Sequence, residues 1–405
     1  MKRKKSVLRV FLCILCLIFL LAACTEEPSS TSAEKSVGKR DTAKKQIEIV
    51  VGGDLMCQRR QQKAALRDGK FDFRYQFDYV RNIVRQADLA IGNLETSVAS
   101  SWPLSIEQKR RYGQPYLNAP EEYLSAVKDC GFDVLANANN HSCDTGISGL
   151  RQTLKKQDQY GLLHTGAFSG EEKDRFLIVD VKGFKIGIVS YAVYYNRSVR
   201  ELSGKEVERH LNYYSREKAE EDFLRMREEG AEFILSYFHC GREYQLEPTE
   251  RQVQIAEEMA ESGADYVVGG HSHTVSSFDR IETSDGREVP VVYSLGNFVS
   301  HMTYRERKSD HAMILSLKLK REDGRVVVSD QKYYPCLMVN RNEETGRRYQ
   351  LIPLTDKNIE RFTDTDRALA ERMKRVRKTI IGAAGPQCHP VTTETEGVSE
   401  NAKQF

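Results

Sequence analysis

Two histidines, His271 and His273, are separated by one serine in the stretch GGHSH, directly after an apolar run that predicts a buried strand. Imidazole nitrogens bind divalent ions such as Mn²⁺, Fe²⁺ and Zn²⁺. Along an extended strand, side chains two positions apart point the same way about 6–7 Å apart, which is too far for one small ion. We therefore expect each histidine to bind one of two ions about 3.5–4 Å apart, with the loop bending to allow it.

Other polar residues of the same chemical kinds follow four further apolar runs, IEIVVGG, ADLAIG, FDVLANA and AEFILSYF. They are Asp54, Asn93, Glu95, Asn139, Asn140, His141, Asp144, His239 and Glu243. The carboxyl ends of parallel strands lie along one edge of a sheet, where ligands bind. The sequence therefore predicts a shared polar site for a divalent metal, with Mn, Fe or Zn favoured because the candidate ligands combine carboxylates, amides and imidazoles.

The elements that must position these residues alternate between short apolar runs and amphipathic stretches, which predicts βαβ units and a largely parallel sheet. The stretches APEEYLSAVKDCG and EPTERQVQIAEEMAESG have proline near the start and glycine at the end, as helices do. Two alternating runs flank EDGR and predict an antiparallel hairpin that completes a sheet. Residues 356–405 form a separate C-terminal segment, with a helical pattern around DRALAERMKRVRKTI and a polar tail from CHPVTT that we expect to be disordered.

The first 45 residues have no part in that pattern. Residues 1–23 combine a basic start with a short apolar stretch, which is typical of a secretion signal, and LLAAC resembles the site at which bacterial lipoproteins are cleaved and lipidated on cysteine. Cys24 would then be the acylated first residue of a protein anchored to the outer face of the cell membrane, and residues 24–45 a flexible tether. An uncleaved N-terminal anchor is the alternative.

Charge and cysteine usage argue against a nucleic-acid-binding protein and against a disulfide-rich scaffold. The formal charge of +3 becomes about −2 once the five basic residues of the signal are removed, so charge gives no argument for nucleic-acid binding. Six cysteines remain after the signal and Cys24, without regular spacing, which excludes a disulfide scaffold. A single bridge between Cys143 and Cys240 stays open, with small buried thiols as the alternative.

The motifs GGDLM, GNLET, NNHSCD, HCGREY, GGHSH and YSLGNF, in this order, resemble the CapA/PgsA family of poly-γ-glutamate capsule synthesis proteins. That family belongs to the calcineurin-like metallophosphoesterase superfamily. The match covers residues 46–340 and is specific as a set, although no single motif is. The resemblance implies an α/β fold over residues 46–355, a four-layer αββα sandwich of two mixed β-sheets flanked by helices.

The resemblance also implies roles for individual positions. The implied metal ligands are Asp54, Glu95, Asn140, His239, His271 and His273, and His141 is the implied catalytic residue, a general acid or transition-state stabiliser. The first motif of the superfamily is Asp-x-His, whereas this chain has Met56 at the last position, and thioether sulfur is a poor ligand for such ions. We therefore expect one ion, held by Asp54, Glu95 and His273, to bind more weakly than the other, and a total of one or two ions.

Three further groups have two interpretations each. Asp144 and Glu243 follow candidate ligands by about one helical turn and would orient His141 and His239, or they cap helices or lie on the surface. Asn297 follows a strand in YSLGNF and either faces the site or belongs to a turn. The tyrosines and arginines in YAVYYNRS and HMTYRERK form an aromatic, basic rim for a polyanion, or solvated loops.

Two functions are consistent with these observations. The first is a membrane-tethered component of capsule biosynthesis that handles an anionic polymer, poly-γ-glutamate, beside integral-membrane synthetase subunits. The second is a metal-dependent hydrolase of phosphoester or γ-glutamyl bonds at the cell surface, with a metal-activated water as nucleophile.

Overall fold

A computed structural model describes residues 46–99, 117–171, 174–342 and 347–393, all of which belong to one compact unit. The predicted signal segment 1–23, the lipidation site Cys24, the tether 24–45 and residues 394–405 of the predicted tail lie outside the described residues. Within the described ranges, no helix combines the length and the apolar character that crossing a bilayer requires.

The strands of the described residues are short except for two near the C-terminus. They are β1 (Gln46–Leu55), β2 (Leu66–Arg67), β3 (Lys70–Phe71), β4 (Leu89–Leu94), β5 (Val134–Ala136), β6 (Leu163–Thr165), β7 (Leu177–Val181), β8 (Phe184–Ala192), β9 (Phe233–His239), β10 (Tyr266–Gly270), β11 (Phe278–Glu282), β12 (Glu288–Val292), β13 (Asn297–Val299), β14 (His311–Glu322), β15 (Arg325–Val339), β16 (Gln350–Pro353) and β17 (His389–Pro390).

The helices lie between and after these strands. They are α1 (Arg59–Ala65), α2 (Arg81–Arg85), α3 (Glu122–Cys130), α4 (Gly146–Gln159), α5 (Gly204–His210), α6 (Arg216–Glu228), α7 (Glu250–Ser262), α8 (Asp356–Thr365) and α9 (Arg367–Ala384), with short 3₁₀ turns at Arg74–Phe77, Arg197–Glu201 and Arg305–Arg307. The predicted helices α3 and α7 end at glycines with left-handed φ of 113° and 117°, Gly131 and Gly263, a conformation that favours glycine.

The strands form two mixed sheets and the small ribbon β2–β3. The larger sheet has the order β16-β15-β14-β1-β4-β5-β6, with β13 beside β1 and β17 beside β15. Strands β1, β4, β5 and β6 are parallel, and β14 runs antiparallel to β1. The smaller sheet has the order β11-β12-β10-β9-β8-β7, with a parallel centre and antiparallel edges.

Alternation along β1 shows how the layers stack. Ile49 and Val51 enter the core between the two sheets, which also contains Ile188 of the smaller sheet, whereas Val50 faces the other way and packs with the residues of α1, α2 and α3. On the outer face of the smaller sheet, α6 and α7 pack on Val267 and its neighbours. The predicted four-layer αββα sandwich is confirmed.

The C-terminal region is more ordered than predicted. The hairpin β14–β15 around EDGR is confirmed. Helices α8 and α9 place Phe362 and Met373 in the core that lies between the sheets, so they complete the domain. The prediction that disorder begins at the CHPVTT stretch is wrong for its first residues. Cys388 is buried, and the next two residues pair with β15, because β15 offers free backbone groups at Tyr333.

Candidate metal centre

The candidate ligands lie at the carboxyl ends of strands from both sheets. Asp54 is the penultimate residue of β1, Glu95 follows β4, and Asn140 lies in the loop after β5, all in the larger sheet. His239 ends β9, and His271 and His273 follow β10, both strands of the smaller sheet. The expectation of one shared sheet edge therefore needs correction, because the site lies where the edges of two packed sheets meet.

Two sets of ligand atoms form, and Glu95 belongs to both. One set is Glu95, His239 and His271, and the other is Asp54, Glu95 and His273. Within each set the ligand atoms lie within 4.8 Å of one another, and all five residues are buried. Asn140 joins the first set, since its Oδ1 lies 2.9 Å from Nε2 of His239.

The carboxylate of Glu95 has no hydrogen-bond partner among the described residues, although both of its oxygens are buried. Oδ2 of Asp54 and Nδ1 of His239 are likewise buried without a hydrogen bond to any described group. Burial, followed by the charge of Asp54, raises the pKa of Glu95 well above its ordinary value. Isolated carboxylates are costly to bury unless a cation compensates them, so this donor set fits a divalent cation.

The pKa values of the three histidines shift in different directions. Burial lowers the pKa of His239 to about 3 and that of His271 well below its ordinary value, so both imidazoles are neutral, as ligands must be. Burial opposes the charged forms of His273 and Asp54, but the contact between them outweighs burial. The pKa of His273 is therefore raised and that of Asp54 is lowered. Nδ1 of His273 lies 3.3 Å from Oδ2 of Asp54.

The loop after β10 separates the two histidines of GGHSH. Both have left-handed backbones, with φ of 92° at His271 and 57° at His273. Such values are strained for residues with a side chain and are concentrated at functional sites. The ring centroids lie 6.0 Å apart, and each ring belongs to a different set of ligand atoms, the arrangement that the spacing predicts.

His141 lies outside both sets, next to Asp144. Its Nδ1 is 2.6 Å from Oδ2 of Asp144, which also accepts a hydrogen bond from the backbone N–H of Leu117 at 2.6 Å. The side-chain amide of Asn196 contacts the same Nδ1 at 3.2 Å and Oδ1 of Asp144 at 3.3 Å. The predicted Asp144–His141 contact therefore forms, within a buried polar cluster.

The corresponding contact of Glu243 does not form. Glu243 is exposed on the loop after β9, and Nδ1 of His239 has no partner among the described residues. The loop turns away at Gly241 and Tyr244, which have positive φ of 128° and 67°. The hypothesis that Glu243 orients His239 is wrong, and its charge acts on the site only from a distance.

The sequence analysis gave too little weight to two parts of the site. Asn297 begins β13, and its Oδ1 lies 2.9 Å from Nδ1 of His273. Of its two interpretations, the one that places it at the site therefore fits the structure. The hydroxyl of Tyr194 contacts a ring nitrogen of His271, and its ring packs edge-on against that imidazole at 5.0 Å. Tyr194 and Asn196 both follow the end of β8, so extending the strand-end rule to β8 would have found them.

Met56 lies two residues after the candidate ligand Asp54. Its side chain is buried with Leu117 and Met302, and its sulfur lies 3.7 Å from Nε2 of Gln58. All six cysteines of the described residues are free and buried, so Cys143 and Cys240 do not form the bridge that the sequence left open.

Residues 48–302 match the family described as bacterial capsule synthesis protein PGA_cap. The capsule biosynthesis protein CapA of Bacillus anthracis is 29% identical over 320 residues, which is 77% of this chain and 73% of that protein. The PGA biosynthesis protein CapA of Bacillus subtilis (strain 168) is 29% identical over 283 residues, covering 68% of this chain and 69% of that protein. Among solved structures, the calcineurin-like phosphoesterase YfkN from Bacillus subtilis aligns with a TM-score of 0.45 and 16% identity over 82% of this chain and 99% of that chain.

Proposed function

The chain belongs to the bacterial capsule synthesis protein family PGA_cap, and from that premise we propose that it takes part in the synthesis or export of a capsular polymer, poly-γ-glutamate. The names of its CapA relatives in two Bacillus species support this assignment. The proposed location is the outer face of the cell membrane, with Cys24 lipidated and residues 24–45 as the tether, beside membrane synthetase subunits. The signal-like residues 1–23 support it.

We further propose that the site holds one or two divalent ions, of Mn, Fe or Zn. The observation that supports this most directly is the buried carboxylate of Glu95, which is shared between two ligand sets and lacks any hydrogen bond from a described residue. Asp54, Glu95 and His273 would hold one ion, and Glu95, Asn140, His239 and His271 the other. A bound ion supplies Lewis acidity and a binding point for a carboxylate or phosphate oxygen.

A second candidate function is hydrolysis of a phosphoester or γ-glutamyl bond, and the contact between His141 and Asp144 favours it. Asp144 holds Nδ1 of His141, which leaves Nε2 of that ring to exchange a proton with a leaving group. Burial of the pair excludes most water from it. A capsule component that only grips the polymer has no need for such a pair.

Purified full-length protein in detergent tests both functions. Elemental analysis should find bound metal, and a chelator should remove it. Less than about a tenth of an equivalent, with no uptake on titration, would rule out the metal site, given the affinities that such sites reach. Turnover of a generic phosphoester or oligo-γ-glutamate that falls at least about 100-fold in His141→Ala, with metal retained, would establish the hydrolase. Metal binding with no turnover supports the polymer-handling component, and His389→Ala is the control.

A further inference from the structure

A second polar cleft, of about 570 Å³, opens between the end of β15 and the start of α9. Five arginines from four separate segments line it. They are Arg305 in the turn before β14, Arg341 after β15, Arg348 before β16, and Arg372 and Arg375 on α9. We call this cleft the arginine pocket. It lies outside both ligand sets of the metal centre.

The arginines differ in how their charge is compensated. Arg372 pairs with buried Asp310. Arg348 donates to the neutral side chain of Asn340 at 2.9 Å and lies 5.3 Å from the ring of Tyr349. Within the described residues, no ion pair involves the side chain of Arg305 or Arg375, and both are exposed.

Two acidic residues at the start of α9 already have partners. Asp366 lines the pocket but accepts the hydrogen bond of the Leu369 N–H at 2.9 Å and caps α9, and Glu371 pairs with Lys374 at 2.9 Å. Burial lowers the pKa of Arg372, and the charges of Arg305 and Arg375 lower it further against the opposing effect of Asp310. A cleft in which five arginines outnumber one carboxylate concentrates anions.

The turn that contributes Arg305 also reaches the metal centre. Arg307, two residues further on, lies 4.5 Å above the ring of Tyr244 and 5.7 Å from that of Tyr304. The ring of Tyr244 in turn lies 6.2 Å from that of His273. Cationic and aromatic groups therefore extend from the arginine pocket to the side of the metal centre that His273 occupies.

We propose that the arginine pocket binds the carboxylates of an anionic polymer, and that Arg307 and Tyr244 lead the chain from there to the metal centre. A guanidinium binds a carboxylate through two parallel hydrogen bonds, and several guanidiniums from different segments suit carboxylates that repeat along a chain. A concave cleft suits a polymer segment better than the flat surface of a bilayer. That the polymer is poly-γ-glutamate rests on the proposed function, whereas the anion site does not.

Full-length protein in detergent, titrated with fluorescently labelled poly-γ-glutamate at low and high salt, tests the proposal. The double variant Arg305→Gln, Arg375→Gln should weaken binding at least about tenfold, because each arginine supplies charge-assisted hydrogen bonds. The control Arg67→Gln, Arg325→Gln removes the same charge from exposed sites elsewhere and should change binding less than about twofold. Arg372→Gln is avoided because it would leave Asp310 buried without its partner.

The outcomes separate the pocket from the proposed function. Unchanged affinity in the double variant overturns the pocket even if poly-γ-glutamate binds elsewhere on the protein. Glu95→Gln should lose metal yet keep arginine-dependent polymer binding, which supports the pocket independently of the metal centre. Arginine-dependent binding of polyphosphate alone overturns the polycarboxylate ligand and with it the proposed polymer. Arginine-dependent binding to phosphatidylglycerol vesicles alone overturns the polymer site in favour of a membrane contact.

Discussion

The imidazoles of His271 and His273 lie 6.0 Å apart on a loop in which both residues have positive φ, and each belongs to a different set of ligand atoms around Glu95. A left-handed backbone costs about 1–3 kcal/mol for such residues unless the surrounding structure stabilises it. Here that conformation places the imidazoles of His271 and His273, which are separated only by Ser272, in two different ligand sets. Glu95 belongs to both sets, and five predictions follow from this arrangement and its surroundings.

Glu95→Gln should abolish metal binding at both proposed positions, because the carboxylate is common to both ligand sets. Metal at about 100 times its dissociation constant stabilises a protein by about 2.7 kcal/mol, and this increase should vanish in the variant. Thermal unfolding with and without Mn²⁺ or Zn²⁺ measures it. Glu257→Gln, on the exposed side of α7, should keep the full increase. A variant that still binds one ion with parent affinity would show that Glu95 is not a ligand at both positions.

Asn297→Ala should weaken metal binding at the proposed position formed by Asp54, Glu95 and His273 by about 10–100-fold, because the amide oxygen orients the ring of His273. Binding at the other set should change little. Calorimetric metal titration separates these effects, and Asn82→Ala, on the exposed side of α2, is the control. Equal weakening of both ions would contradict an orienting role confined to His273.

Asp144→Asn should leave metal content unchanged and lower the free energy of unfolding by about 1–3 kcal/mol, because a charge-assisted contact with His141 is lost inside the protein. Urea unfolding and elemental analysis of the same samples measure the two effects. The exposed Asp364→Asn should be neutral in both. Loss of metal in Asp144→Asn would mean that the His141 cluster belongs to the metal centre itself.

Met56→Leu should preserve metal stoichiometry and affinity, because the side chain packs against Leu117 and Met302 and a thioether is a poor ligand for such ions. The change conserves volume, so the loss in unfolding free energy should stay below about 1.5 kcal/mol. Metal titration and urea unfolding check both points. A large drop in metal affinity would identify the sulfur as a ligand after all.

Gly53→Ala should strongly destabilise the fold, because a Cβ at this position would lie 1.9 Å from the carbonyl oxygen of Gly296. Relief requires β1 to move away from the chain that follows β12, so we expect a loss above about 3 kcal/mol, the range of severe overpacking. Gly382→Ala is the matched control: it faces open space in α9 and should stabilise by about 0.5–1 kcal/mol. Comparable unfolding midpoints for the two variants would refute this packing argument.

Local chemistry made much of the fold predictable. Apolar runs that alternate with amphipathic stretches predicted the strands and helices, because burial of one face requires those periods. Gly131 and Gly263 marked two helix ends, because a helix often ends at a residue with a left-handed backbone, which glycine adopts easily. The ordered end at Cys388 was missed because its order comes from pairing with β15, a contact that the local composition does not encode.

By itself, the sequence determined which residue types follow the strands, and so the chemistry available: carboxylates, amides and imidazoles suited to a divalent cation. Tertiary structure alone decided that these residues come from two sheets and that Glu95 is common to both ligand sets. It also decided that Glu243 is exposed, whereas Asn297 and Tyr194 contact candidate ligands. The physical reason is that side-chain direction at a strand end depends on the φ and ψ of the following loop. Those angles are set by packing between segments far apart in the chain.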